Sequence, residues 1–190
     1  MFLSYNEDMD SSIVKRALKL LGERLLTRHD ADVEVLVVGA SAGMLTGQLP
    51  RGRTTVDCDV MVIAPRETEG ALLAAADDVA AELGLPACWF NTDVQLLIHA
   101  LPMGWQDRRV RACASGRLHV DAIGRVDLLA MKVYAGRAQD LQDIRDMAPL
   151  LHELRFVAAF IDALESAGEP MAHITDARTI LAELERLHAS

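Results

Sequence analysis

Two aspartates stand two residues apart in a mostly apolar stretch of the chain, at Asp57 and Asp59. Alternate side chains of a β-strand share a face, so both carboxylates would project from one side of a strand. Two neighbouring carboxylates repel each other unless a cation lies between them, and Mg²⁺ is commonly held by one or two carboxylates with phosphate oxygens. The pair is therefore either a metal site or two acids that face water at the end of a strand. The opposite face would be a buried apolar one: Val56, Cys58, Val60 and Val62.

A glycine-containing turn precedes the acid pair by one predicted strand. The β-branched run 33–38 predicts a short buried strand, and Gly39-Ala40-Ser41-Ala42-Gly43 follows it directly. Glycine lets a ligand approach the backbone, and amide groups at a helix start bind phosphate. The turn lacks the glycine pattern of a P-loop or a dinucleotide fold, so an ordinary strand-to-helix turn is the alternative. Because the turn and the acids lie on consecutive strands, we expect them side by side, as a combined site for phosphate and metal.

A third group of charged residues begins at Lys132, which interrupts a strongly apolar predicted helix. An ammonium group there needs an anionic partner, such as a bound triphosphate, unless its side chain reaches solvent. Arg137, Asp140 and Asp143 follow at the start of the next predicted helix. Asp140 would cap that helix and Asp143 would favour its positive end, and either carboxylate would still have an oxygen for a ligand.

Composition and charge argue against several classes of protein. Only 4% of the residues are aromatic and the net charge is −9, so we expect neither a stacking platform for single strands nor general DNA binding. Three cysteines without a C-x-x-C pair indicate reduced thiols and a cytoplasmic protein, and the histidine spacing does not favour zinc. No apolar run reaches the ~18 residues of a membrane span, and residues 1–10 show no apolar leader, so we expect no membrane association.

Hydrophobic periodicity predicts a helix, two strands, a helix, a hairpin and then helices only. We expect an α/β (α+β) fold, with a small mixed sheet flanked by helices and a helical C-terminal part. The sheet and the first helix would occupy residues 1–124, and a helical part completing the site would occupy residues 125–190. The predicted elements are helices at 13–26 (capped by Ser11-Ser12), 67–83, 126–136, 140–151, 152–167 and 175–187, strands at 33–38, 57–63, 108–113 and 118–122, a short helix and loop at 44–53, and an ambiguous stretch at 88–98.

These motifs resemble the nucleotidyltransferase superfamily, and specifically an uncharacterised, DUF6036-like bacterial branch related to the toxins of AbiEii-type systems. That superfamily has a strand ending in Gly-Gly or Gly-Ser and then Asp-x-Asp, which Gly39-Ala40-Ser41-Ala42 and Asp57-Cys58-Asp59 resemble. The branch's Trp-Leu-Asn-Asp-like segment is similar to residues 89–93. Its helical motifs Leu-x-Ala-Met-Lys and Ala-x-Arg-x-x-Asp-Leu-x-Asp-Ile are similar to residues 128–144. The likeness covers about residues 33–150, and Ala40 departs from it.

The resemblance implies transfer of a nucleoside monophosphate from an NTP to an acceptor hydroxyl, with Mg²⁺ or Mn²⁺ as the cofactor. Asp57 and Asp59 would hold the metal, as in a two-metal displacement. Asp140 would be the third catalytic carboxylate, with Asp121 of the hairpin as the other candidate. The implied nucleotide-binding residues are Gly39, Ala40, Ser41, Arg53, Thr55, Lys132, Arg137 and Asp143.

The resemblance leaves the acceptor open among RNA, a protein side chain and a small molecule, and it adds a cognate antitoxin protein as a candidate partner. A second hypothesis is a catalytically inactive protein that keeps the fold and acts as a binding or partner module. Its motivation is Ala40 in the turn and the unassigned third carboxylate.

Overall fold

The structure, a computed structural model, describes residues 8–28 and 30–188. Residues 1–7 and His29 lie outside the described residues. Residues 1–7 make up most of the N-terminal stretch, residues 1–10, in which we predicted no apolar leader. The chain forms two compact units, one from residues 1–99 and 109–123 and the other from residues 100–108 and 124–190. The segment 100–108 therefore belongs to the C-terminal unit although it precedes the hairpin in sequence.

The first unit is built on a five-stranded mixed sheet with the strand order β3-β2-β1-β5-β4. β1 is antiparallel to β2 and parallel to β5, β2 is parallel to β3, and β4 is antiparallel to β5. The mixed sheet confirms the predicted fold class, and β4 with β5 forms the predicted hairpin. The strands are β1 (Val33–Val37), β2 (Cys58–Ala64), β3 (Phe90–Asn91), β4 (Val110–Ser115) and β5 (Leu118–Ala122).

Helices accompany the sheet in the first unit and dominate the second. None of the helices in the described part of the chain combines the length and apolar character needed to cross a membrane. The helices of the first unit are α1 (Ser11–Leu25), α2 (Gly39–Leu45) and α3 (Glu69–Leu83), with 3-10 helices at Arg66–Thr68 and at Asp93–Ala100, whose last residue already belongs to the second unit. Those of the second unit are α4 (Trp105–Arg108), α5 (Arg125–Ala135), α6 (Ala138–Met147), α7 (Leu151–Ser166) and α8 (Met171–His188).

The first helix starts from an aspartate rather than from the predicted serine cap. Asp10 Oδ1 accepts hydrogen bonds from the backbone amides of Ser12 (2.8 Å) and Ile13 (2.9 Å), which satisfies two of the free amides at the start of α1. Further along, Gly22 packs closely on the hairpin, because a Cβ there would lie 2.0 Å from the Ser115 carbonyl oxygen. The buried side of α1 consists of Val14, Ala17, Leu18, Leu21, Gly22 and Leu25.

Three local predictions in the first unit were wrong or incomplete. The short helix expected within 44–53 begins earlier, at Gly39. Val56 was expected to be buried but is 48% exposed, because β2 starts only at Cys58. The ambiguous stretch 88–98 contains a two-residue strand and then a 3-10 helix that has no buried residue.

The second unit buries the apolar faces of its helices against one another. α5 ends at Gly136, which adopts a left-handed conformation (φ 60°), and α6 ends at Met147, before Pro149. Proline disfavours helical continuation at the residue before it, so α6 is shorter than the predicted 140–151. Buried residues of this core include Leu128, Leu129, Val133, Leu154, Val157, Ile161 and Ile174.

Candidate active site

The first unit places the glycine turn against the acid pair, as the sequence predicts. α2 follows β1 directly, and Gly39 at its start has a positive φ of 62°. A Cβ at this position would lie 2.8 Å from Asp59 Oδ2, closer than real Cβ contacts come. Two independent constraints therefore favour glycine at position 39. The backbone has a positive φ, and the Asp59 carboxylate occupies the space that a side chain would fill.

Asp59 is held in place from both sides of β2. On one side, the Val38 amide donates to the Asp59 carbonyl oxygen at 2.9 Å, which joins the strand to the start of α2. On the other side, Asn91 Nδ2 in β3 donates to Asp59 Oδ1 at 2.9 Å. Asn91 is fixed in turn, since its Oδ1 accepts from the Asp93 amide at 3.0 Å. The sequence analysis gave Asn91 no role of its own, although it lies within the Trp-Leu-Asn-Asp-like segment.

Asp57 lies one residue before β2, in a loop that two hydroxyl groups fix. Ser41 is 1% exposed, and its Oγ donates to the Asp57 carbonyl oxygen at 3.0 Å. Thr55 Oγ1 lies 3.1 Å from the same carbonyl oxygen and 3.3 Å from Asp57 Oδ1. Thr55 is anchored to Met9 by two backbone hydrogen bonds of 2.7 and 3.0 Å. Ser41 and Thr55 thus position the main chain at Asp57.

The residue between the two acids adds no negative charge. Burial raises the pKa of the Cys58 thiol to about 12; its hydrogen bond with Ser41 opposes this shift, whereas the charges of Asp59 and Asp57 add to it. The thiol is fully buried and remains protonated at neutral pH. The negative charge of this strand end therefore comes from the two carboxylates, both of which are partly exposed.

The acid pair fits a hard divalent cation. Carboxylate oxygens are the ligands that Mg²⁺ prefers, and such ions are often held by only one or two carboxylates with phosphate oxygens and water. Glycine at position 39 leaves room for Asp59 Oδ2, because a Cβ there would lie 2.8 Å from this oxygen. Among the described residues, no cluster of three or more His, Cys, Asp or Glu side chains is arranged for a metal ion. The site thus offers two carboxylates rather than a complete protein cage.

Asp121, one candidate for the third carboxylate, is bound to arginines. It is 3% exposed, and its oxygens lie 2.5 Å from Arg111 Nε and 3.3 Å from Arg109 Nε. β1 lies between β2 and β5, so two strand spacings, about 10 Å, separate Asp121 from Asp59. Arg109 and Arg111 thus give Asp121 cationic partners within the first unit.

The second unit brings Lys132 and both downstream aspartates together. Lys132 is 3% exposed, and its Nζ lies 3.0 Å from Asp140 Oδ1 and 2.6 Å from Asp143 Oδ2. Both carboxylates are buried, at 2% and 1% exposure. The lysine thus has anionic partners within its own unit, and it does not extend to solvent.

Arg137 completes this group from the surface. Its Nε lies 2.7 Å from Asp140 Oδ2, and its side chain is 73% exposed. Asp140 was expected to cap α6, but it is the third residue of that helix and its carboxylate binds the two cations instead. Because two formal positive charges meet two negative ones, the Lys132 cluster (Lys132, Arg137, Asp140 and Asp143) is close to neutral.

The predicted site residues thus fall into two groups, one in each unit. Arg53 lies in the loop that leads to Asp57, and its guanidinium donates to the Thr54 carbonyl oxygen. The first unit contains Gly39, Ala40, Ser41, Arg53, Thr55, Asp57 and Asp59, and the second contains Lys132, Arg137, Asp140 and Asp143.

Two of the unpredicted ion pairs among the described residues of the second unit involve buried carboxylates. Arg108 Nη2 lies 2.6 Å from Oδ1 of the fully buried Asp127, and Arg125 Nε lies 2.7 Å from Glu153 Oε1. Neither pair has a local sequence signal, because the partners are 19 and 28 residues apart. Both tie α5 to other elements of the second unit.

Comparison with protein families shows which family the chain belongs to. A family model described as a nucleotidyltransferase of unknown function (DUF6036) matches residues 16–160, about three quarters of the chain. The chain belongs to this nucleotidyltransferase family. The matched region includes both the acid pair and the Lys132 cluster. Comparisons with curated proteins and with solved structures give no significant match.

Proposed function

We propose that this nucleotidyltransferase uses a divalent metal ion to transfer a nucleoside monophosphate from an NTP to an acceptor hydroxyl. The acceptor oxygen would bond to the α-phosphorus, and pyrophosphate would leave. The observation that carries the proposal is the contact between Gly39 and Asp59, where the glycine makes room for the carboxylate at the start of α2. A glycine turn next to paired carboxylates combines close backbone approach for phosphate with oxygen ligands for its counter-ion.

Asp57 and Asp59 would hold Mg²⁺ or Mn²⁺, which when bound supplies charge neutralisation for the triphosphate and polarises the acceptor oxygen. Asn91 would orient Asp59 through its amide group. Ser41 and Thr55 would fix the Asp57 backbone, while the chain at Gly39 and Ala40 would lie against phosphate oxygens. Phosphoryl transfer depends mostly on positioning and electrostatic stabilisation, which is what these contacts provide.

For the second unit, we assign nucleotide contact to Arg137 and a positioning role to Lys132. Arg137 is the most exposed member of the Lys132 cluster, and a guanidinium group binds phosphate oxygens in a bidentate manner. Lys132 would orient Asp140 and Asp143 through its hydrogen bonds to both carboxylates.

The biological role we propose follows the family resemblance. The chain would be the toxin half of a bacterial two-gene module related to AbiEii-type systems, acting with a cognate antitoxin protein. Radiolabelled transfer to RNA, to the partner protein and to small molecules would identify the acceptor.

The test of the chemistry combines binding and transfer. Thermal unfolding would be followed with Mg²⁺ and each NTP, and transfer would be followed from an α-labelled NTP. We expect one NTP to stabilise the protein, and Asp57→Asn with Asp59→Asn to abolish that shift and to slow transfer by about 10³-fold or more, as when a charge partner of the phosphoryl group is lost. The matched control is Asp77→Asn, an exposed acid on α3. Absence of any NTP-dependent shift in the unmutated protein would refute the proposal.

One observation favours the second candidate, a binding module without catalysis. Asp121, on a strand of the same sheet as Asp59, is bound by Arg109 and Arg111. If NTP and Mg²⁺ leave the stability unchanged while a partner protein co-purifies at a fixed ratio, the module is the better description.

A further inference from the structure

A cavity of about 320 Å³ lies in the first unit, between the start of α1 and the end of α2. Residues from three stretches of chain line it: Ser11 and Lys15 of α1, residues 44–47 at the end of α2, and Leu49, Pro50 and Arg51 in the following loop. None of these residues belongs to the acid pair or to the Lys132 cluster. The cavity is therefore a separate feature of the molecule.

The lining of the cavity is apolar at its base and cationic at its edge. Met44, Leu45 and Leu49 are buried, with exposures of 6%, 9% and 5%, and they form the base. Lys15 and Arg51 are exposed and bring two positive charges to the same opening. Small-molecule sites typically combine such an apolar surface with a few convergent polar groups. This lining suits an organic molecule that carries an anionic group.

The two cations of the cavity have no acidic partner of their own. Lys15 and Arg51 make no ion pair within the described ranges 8–28 and 30–188, in contrast to Arg24, which pairs with Glu82, and Arg28, which pairs with Asp78. The nearest acid along the chain, Asp10, is occupied in capping α1. Two cations that converge without a counter-ion attract phosphate, which arginine binds in a bidentate manner.

Two segments that line the cavity, α2 and the loop after it, are connected along the chain to the acid pair. α2 begins with Gly39 beside Asp59 and ends at the cavity, and its seven residues span about 10 Å at 1.5 Å each. The loop that contains Arg51 leads within a few residues to Asp57. A phosphate between Lys15 and Arg51 would therefore lie roughly one length of α2, about 10 Å, from the acids.

We propose that this cavity binds the acceptor of the nucleotidyl transfer, and that the acceptor is a small phosphate-bearing molecule. This inference rests on the proposed function. The volume lies at the low end of the range of about 300–1,000 Å³ for ligand pockets, which fits a molecule the size of a sugar phosphate. The net charge of −9 disfavours a long polyanion such as RNA.

The binding experiment omits metal and NTP, so its outcome does not depend on catalysis. Calorimetric titration would use ribose 5-phosphate as the probe, ribose as the uncharged control and a ten-nucleotide RNA as the polyanion. The test variants are Lys15→Gln and Arg51→Gln. The matched controls are Arg16→Gln and Arg66→Gln, which remove exposed arginines outside the cavity lining.

We expect ribose 5-phosphate to bind and ribose not to bind. Each cavity variant should weaken the binding at least tenfold, while the two control variants and Asp57→Asn with Asp59→Asn should leave it unchanged. The cavity variants should also keep the NTP-dependent thermal shift, which separates this inference from the proposed function. Equal binding by cavity and control variants, or no binding of the phosphate probe, would overturn it. Binding of RNA alone, lost in the cavity variants, would overturn the small-molecule assignment.

Discussion

Asp59 and Asp143 show two ways in which this protein stabilises a carboxylate. Asp59 is partly exposed at the start of β2, and its Oδ1 accepts a hydrogen bond from the neutral amide of Asn91. Asp143 is 1% exposed and lies 2.6 Å from the Lys132 ammonium group. The first carboxylate is partly accessible to solvent, whereas the second is buried beside its lysine partner.

This difference leads us to expect that the acid pair contributes mainly to ligand binding and the Lys132 cluster mainly to structural stability. A buried charge without its partner destabilises the folded state strongly, whereas a partly exposed charge is screened by water. The Lys132 cluster should therefore affect folding more than the acid pair does, although both belong to the matched family region. The following predictions test this comparison.

The largest effect should come from Lys132→Met. This change leaves two buried carboxylates without their shared cation, and we expect the free energy of unfolding to fall by about 3–5 kcal/mol. Urea denaturation measures it. Adding Asp143→Asn should restore part of the loss, because it removes one of the uncompensated charges, and a double-mutant cycle gives the coupling. A loss below about 1 kcal/mol would mean that the cluster is not a structural unit.

The next effect concerns Asn91, which positions Asp59. Asn91→Ala should weaken Mg²⁺ binding about 10- to 100-fold, the usual cost of losing a group that orients a metal ligand. Titration of Mg²⁺ at a fixed NTP concentration, with thermal unfolding as the readout, measures the change. Thr92→Ala is the neighbouring control. Unchanged Mg²⁺ affinity in Asn91→Ala would show that Asp59 does not need this amide.

A third prediction uses pH to test the ion pairs of the second unit. Burial works to raise the pKa of Glu153, but hydrogen bonds from Arg125 and from the Leu150 amide outweigh it, and the pKa lies below the ordinary 4.5. Since the folded-state pKa is the lower one, this contribution to stability is complete above pH 4.5 and is lost as the pH falls through the folded-state value.

Glu153→Gln should accordingly reduce the free energy of unfolding by about 1–2 kcal/mol at pH 7, as for a hydrogen bond to a charged group. The difference between the variant and the unmutated protein should shrink in acid. Denaturation at several pH values measures both quantities. A difference that stays constant down to acid pH would contradict the assignment of the stabilisation to the ionised carboxylate.

The smallest effect should be that of Asp57→Asn on stability. Asp57 is partly exposed, and the contacts to its carbonyl oxygen from Ser41 and Thr55 do not depend on the carboxylate. We expect a change within about 0.5 kcal/mol, the range of surface substitutions. A loss comparable to that of Lys132→Met would remove the distinction between the two regions.

Much of the fold was predictable because its elements have clear periodicity or termination signals. α3 has a regular apolar face and ends at Gly84, which adopts the left-handed conformation expected after a helix. α2 was placed too late because Gly39 and the small residues after it have no hydrophobic period. The stretch 88–98 was ambiguous because its second part forms a 3-10 helix without a buried residue. The apolar side chains there show no periodicity that would indicate a buried face.

The site was predictable where its members are close in sequence or follow consecutive strands. The position of Gly39 beside Asp59 followed from strand order, and Lys132 was expected to need an anionic partner. That its partners are Asp140 and Asp143 depends on the angle between α5 and α6, which the sequence does not specify. Likewise, the arginine contacts of Asp121 depend on the pairing register of β4 and β5, which includes an irregularity between Arg111 and Cys113.

The contact between Gly39 and Asp59 also has a genetic consequence. Every single-base change in a glycine codon that alters the amino acid introduces a side chain with a Cβ or ends the chain. At this position a Cβ would lie 2.8 Å from Asp59 Oδ2 on a backbone with positive φ. One nucleotide change therefore suffices to displace the Asp59 carboxylate while the core residues stay intact. If expression of the active protein harms a cell, cells that survive through a missense mutation should carry substitutions at Gly39 as often as at Asp57 or Asp59.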